Sequence, residues 1–171
     1  MKRLILLLAI LFSGMTLSAQ NCISVKDALA IYNQVIPCRV KQYTSYIKFR
    51  SPQTVAKIIA KYGYKSMRNY EEYRVNFYPY YYYKNCTRPS EYHESKPLGK
   101  GIPSCIGLGC EGTMTIYVFS RNVCNNMLYQ FKQLGFRNTS SGYNISYSNG
   151  EIDVSCSEYD GRYSIIVEKQ Y

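Results

Sequence analysis

Tryptophan is absent from the 171 residues, histidine occurs once (His93), and 11 acidic residues stand against 21 lysines and arginines. A single histidine and the lack of any Cys-x-x-Cys pair remove the usual ligand sets of structural zinc, so no metal or cofactor site is expected. Long apolar runs are also missing. The one candidate, Leu4 to Phe12, is too short to span a bilayer. It follows Lys2 and Arg3 and leads to the small residues around Leu17-Ser18-Ala19, which is the pattern of a signal peptide over residues 1–19. A retained signal anchor is the alternative reading. Lipoprotein processing does not fit, because Ala19-Gln20-Asn21 precedes Cys22 where that chemistry needs small and aliphatic residues. The expectation is export, to the periplasm or beyond the cell, of one α+β domain over residues 20–171, with no membrane-spanning segment left after cleavage.

All seven cysteines lie beyond the leader, at Cys22, Cys38, Cys86, Cys105, Cys110, Cys124 and Cys156. In an oxidising compartment disulfides are their default use, and an odd number leaves at least one thiol over. Cys105 and Cys110 are close enough in sequence to staple a loop. Cys124 shares a helix face with Met127 and Leu128, and Cys156 a strand face with Ile152 and Val154, so both point to one core. There they form a bond or sit as two buried thiols.

The periodic segments begin with Ser24 to Ile36, a helix capped by Ser24, with Asp27 in a capping-box-like position and Pro37 as its end. Residues 39–49 read as extended. Ser51, Pro52 and Gly63 punctuate a second helix whose apolar face is Val55, Ile58, Ile59 and Tyr62. Tyr73 to Phe77 alternates like a strand, Pro79 interrupts it, and Tyr80 to Tyr83 returns. Asn85 to Gly112, rich in glycine, proline and cysteine, reads as a long loop. Thr113 to Phe119 is a strand, and a third helix runs to Leu134 with Met127, Leu128, Phe131 and Leu134 facing inward. Three strands follow, from Tyr143, Ile152 and Tyr163, joined by turns at Ser148-Asn149-Gly150 and Asp160-Gly161.

A strand, a helix, a glycine and an aromatic recur at Phe49, Gly63 and Tyr64 and again at Phe119, Gly135 and Phe136. Two divergent strand–helix–strand–strand repeats would account for this, as half-domains 39–86 and 113–171 joined by the loop 87–112. The expected fold is an antiparallel sheet with about three helices, disulfide-stapled.

The basic excess is local. Residues 39–74 carry Arg39, Lys41, Lys48, Arg50, Lys57, Lys61, Lys65, Arg68 and Arg74 against only Glu71 and Glu72. Residues 113–171 are balanced. Such a patch concentrates anionic partners. Tyrosine is the second anomaly, with 20 residues and a tract at Tyr78 and Tyr80 to Tyr83. Alternate tyrosines of a strand face opposite ways, so one pair is expected to present its rings near the surface, where they suit protein or sugar recognition.

Little here supports catalysis. A leftover cysteine with His93 would make a thiol nucleophile and base, without a spacing to select the cysteine. Gly107 to Gly112 fits G-x-G-x-x-G in letters, yet it precedes a strand, and phosphate binding needs a helix N-terminus. The sequence therefore points to a non-enzymatic exported binding module. Arg50, Lys57, Lys61, Lys65, Arg68 and Arg74 would supply charge, and Tyr78, Tyr80, Tyr81, Tyr82 and Tyr83 contact area. Its partner would be an acidic protein, an anionic glycan or an envelope surface. Nucleic-acid binding through the same patch, or a thiol-dependent enzyme, are the alternatives; export argues against the first.

Overall fold

The computed structural model describes residues 22–37, 47–68, 80–87, 96–99, 101–109, 112–141 and 145–170, apart from the side chains of Met67, Arg68 and Tyr80. The expected leader, the strand Tyr73 to Phe77, and His93, Cys38 and Cys110 lie outside them. The described residues form an α+β fold of three helices and antiparallel sheets.

Helix α1 (Val25–Tyr32) starts as expected, with Ser24 Oγ accepting the Asp27 amide at 3.2 Å, and it buries Val25, Ala28, Ile31 and Tyr32. It ends four residues short of Ile36. Val35–Ile36 is instead strand β1, paired antiparallel with β2 (Lys48–Phe49). Pro37 disfavours helical backbone at Ile36, and β-branched Val35 and Ile36 suit an extended pair.

Helix α2 (Pro52–Tyr62) has all its expected punctuation: Ser51 Oγ accepts from the Thr54 amide, Pro52 opens the first turn, and Gly63 closes the helix at φ 71°. Helix α3 (Arg121–Gln133) buries Cys124, Met127, Leu128 and Phe131, the i, i+3, i+4, i+7 stripe of an amphipathic helix. Leu134 is a correction. The helix stops at Gln133, and Leu134, as its C-cap, is 45 % exposed.

The main sheet has eight strands in the order β3-β4-β5-β6-β10-β9-β8-β7, every ladder antiparallel. These are β3 (Lys65–Arg68), β4 (Tyr80–Lys84), β5 (Ser104–Leu108), β6 (Met114–Val118), β7 (Arg137–Asn138), β8 (Ile145–Ser148), β9 (Ile152–Tyr159) and β10 (Arg162–Lys169). Strand β5 corrects the reading of 85–112 as a loop: it is fully buried and lies between β4 and β6. A strand covered on both faces shows no polar alternation, and its Cys105 and Gly107 look like loop residues. The terminal meander is as expected. Asp160 and Gly161 take φ of 50° and 70° in the two-residue turn, and Asn149 Oδ1 accepts the amides of Glu151 and Ile152.

One face of the sheet carries the main core. Ile106, Leu108, Met114, Ile116, Val118, Val154, Ile165 and Val167 pack there with the buried sides of the helices. Each fully buried side chain of this size is worth roughly 1.5–3 kcal/mol. Helix α1 packs on both α2 and α3. The Gln130 side chain accepts the Val25 amide at 3.0 Å, and Tyr62 Oη accepts the Ser24 amide while donating to Asp27 at 2.6 Å. The outer face has a smaller cluster, Tyr81, Cys86 and Cys105 with half-buried Tyr83, Tyr117 and Phe119.

Candidate binding surface and buried thiols

The basic residues of the first half separate into distinct settings. Lys57 is exposed on α2 and Lys65 is exposed on the edge strand β3, opposite Tyr83 in register. Lys61 is committed elsewhere: its Nζ lies 2.8 Å from Asp27 Oδ2, joining α2 to α1, and 5.1 Å from the centre of the Tyr62 ring. Burial alone would raise the Asp27 carboxyl, but hydrogen bonds from Lys61 and Tyr62 outweigh it and hold the group below its ordinary value. The same hydrogen bond raises Lys61. Arg68 pairs with Tyr80 through the backbone of β3 and β4. The side chains of Arg68 and Tyr80, and all of Arg74 and Tyr78, lie outside the described residues.

Arg50 sits just before the α2 cap, and its amide donates to Gln34 O at 2.8 Å, which ties it to the turn after α1. There it meets a cation that the sequence did not bring to notice. Arg50 and Lys169, from the end of β10, line one open concavity of about 160 Å³ with Tyr32, Asn33, Pro37 and Gly112. Neither cation forms an ion pair among the described residues. Gly112 is required here twice over: its φ is +82°, and a Cβ would meet Pro37 at 3.0 Å. Lys169 carries no local signal, because only the sheet topology brings it near Arg50.

The tyrosine tract alternates between faces as expected, but the expected pair of surface rings is corrected. Tyr82 faces the main core and Tyr81 the outer cluster, and each is 5 % exposed. Tyr83 is half-buried. Outer-face neighbours supplied by β5 and β6 shield Tyr81 and Tyr83, so of these three rings only Tyr83 retains contact area.

Three described sulfur sites remain. Cys124 and Cys156 bring their Sγ atoms to 3.3 Å across α3 and β9, in the shared core the face argument predicts. This is contact, longer than the roughly 2.05 Å of a bond, so the two sulfurs are near one another but not bonded here. The hydrogen bond between them lowers Cys156 and, together with burial, raises Cys124. Cys105 brings its Sγ to 3.6 Å from Cys86 Sγ, while Cys110, its expected partner in a loop staple, lies outside the described residues. The contact with Cys105, then burial, raises the Cys86 thiol, which also donates to Lys84 O at 3.1 Å. Cys22 is buried beside Tyr64 and Ser104, whose hydroxyls are 2.6 Å apart. Burial raises both Cys22 and Tyr64, which favours the protonated thiol over the thiolate that attacks as a nucleophile.

Among the described residues no three potential metal ligands come together, and no helix is long and apolar enough to cross a membrane. No family model, curated protein or solved structure matches this chain.

Proposed function

We propose that this protein is an exported, disulfide-stapled binding module for an acidic partner: an acidic protein, an anionic glycan or an envelope surface. The convergence of Arg50 and Lys169 on one concavity, without ion-pair partners among the described residues, carries this reading. Two cations brought to one concavity by separate elements gain from an incoming carboxylate, sulfate or phosphate, and among the described residues they break no existing pair to do so. Exposed Lys57 and Lys65 add to the field, whereas Lys61 is largely spent on Asp27. The leader-like residues 1–19 support export, and the near contact of Cys124 and Cys156 supports stapling in an oxidising compartment.

Retention of the mature protein on immobilised heparin, with duplex DNA as a second probe, tests the reading. Elution by salt is expected, and Arg50→Glu with Lys169→Glu should weaken binding several-fold, more than Lys57→Glu. Equal retention of the double variant would remove the concavity from the site. Tighter, sequence-tolerant binding to DNA with a steeper salt slope would favour the nucleic-acid alternative instead.

A further inference from the structure

We infer that Cys86 and Cys105 form a disulfide on the outer face of the sheet, a second cross-link beside Cys124–Cys156, while Cys22 stays a buried thiol. The inference extends the stapled reading above to a pair of cysteines that sequence spacing does not suggest.

Strands β4 and β5 run antiparallel with Lys84 opposite Ser104, so the chain leaving β4 at Cys86 stays alongside the start of β5. Cys86 also bridges to Pro97, which fixes its backbone. Its sulfur lies 3.6 Å from that of Cys105, and the two residues are 3 % and 0 % exposed. Closing that gap to a bond takes about 1.5 Å of sulfur movement, within reach of side-chain rotation alone. Tyr81, Tyr83, Tyr117 and Phe119 pack around the pair, an environment that accepts a disulfide as readily as two thiols.

The topology also says what Cys105 cannot reach. Ser104 and Cys105 are neighbours on β5 and project to opposite faces of the sheet. Cys22 adjoins Ser104 on the helix side, so the sheet itself separates Cys22 from the outer pair. The Cys124–Cys156 contact lies on the helix side, between α3 and β9.

The oxidant is a disulfide-carrying exchange partner. One protein thiolate attacks its S–S bond and releases a thiol. The second protein thiolate then attacks the mixed disulfide, forms the protein S–S bond and releases a second thiol. Two protein thiols are oxidised and one disulfide is reduced to two thiols, which take up the two protons. Burial keeps both thiols from attack in the finished fold, so the exchange belongs to folding.

The test refolds reduced mature protein in an oxidised/reduced glutathione buffer, followed by alkylation and non-reducing peptide mapping. Peptides linked through Cys86–Cys105 and through Cys124–Cys156 are expected, each with the loss of two hydrogens in mass. Cys22 should be alkylated only in denaturant. In a Cys86→Ala variant one additional alkylated thiol, at Cys105, should appear with the Cys124–Cys156 link intact. Cys105 joined to Cys110 or Cys22 would overturn the inference. So would recovery of Cys86 and Cys105 as thiols beside a formed Cys124–Cys156 link, and the stapled reading would then survive without this pair. If neither link forms, both readings fall.

Discussion

Helices α2 and α3 leave their last turns in the same way and arrive at opposite ends of one sheet. Gly63 and Gly135 both take left-handed backbone, at φ 71° and 89°. The next amide, of Tyr64 or Phe136, bonds back to Ile59 O at 3.1 Å or Phe131 O at 3.2 Å. Both aromatics then enter the same core, and the chain continues into β3 on one edge and β7 on the other. The entries differ. Helix α2 follows β2, which pairs only with β1 in a separate two-stranded sheet, whereas α3 follows β6 near the centre of the main sheet. A helix exit is written locally, in one glycine and one aromatic, but the strand that precedes a helix is assigned by long-range pairing.

The sharpest way to separate the two units is to remove the residue that each exit aromatic bonds back to. Phe131 is fully buried and meets Phe136 edge-on with ring centroids 5.2 Å apart, whereas Ile59 is 7 % exposed. Phe131→Ala is expected to cost about 3–5 kcal/mol and Ile59→Ala about 2–3 kcal/mol, read by denaturant unfolding. Equal costs would mean that the α2 side is packed as deeply as the α3 side. The glycines come next. A Cβ at Gly63 or Gly135 would meet nothing within 4 Å, so alanine there tests backbone strain alone. Each substitution should cost about 1 kcal/mol, and a clear inequality would end the equivalence of the two exits.

The smallest effect lies in charge. The α2 side is tied to α1 by Lys61, Tyr62 and Asp27; Arg121 of α3 reaches Glu158 at 3.0 Å and Tyr163 at 3.1 Å. Because the folded Asp27 carboxyl titrates below its ordinary 3.8, its contribution is complete above that pH and is lost as pH falls through the lowered value. Asp27→Asn should therefore lower the thermal midpoint modestly at neutral pH, with the difference shrinking below about pH 4. An undiminished gap in acid would assign the effect to packing.

What was legible in the residues follows the same division. Ser51, Pro52 and Gly63, the core stripe of α3, and the turns at Gly150 and Asp160-Gly161 are local signals, and local signals decide those features. Strand β5 was hidden because burial on both faces leaves no alternation to see. Residues 33–36 look helical by periodicity until Phe49 supplies a strand partner for Val35. The tyrosine tract showed its alternation but not its burial, since the outer cluster depends on β5 and β6. For the candidate site, the basic stretch was visible and its centre was not: Lys169 joins Arg50 only through the sheet. Cys124 and Cys156 met because their faces could be inferred; Cys86 and Cys105 needed the β4–β5 register.

The ladder between β6 and β10 has a consequence for how this molecule assembles. Four strands, β3 to β6, lie on one side of it and β7 to β10 on the other, and among the described residues no other ladder joins them. The sheet thus cannot become continuous until β10 has been made and has crossed back over an entire helix and three strands to find β6. Pairing over that separation carries a large loop-closure cost, which slows folding. Until β10 docks, the β6 edge carrying Met114, Ile116 and Val118 lacks its native partner, so this seam is the edge that the fold must cover to avoid pairing with another chain.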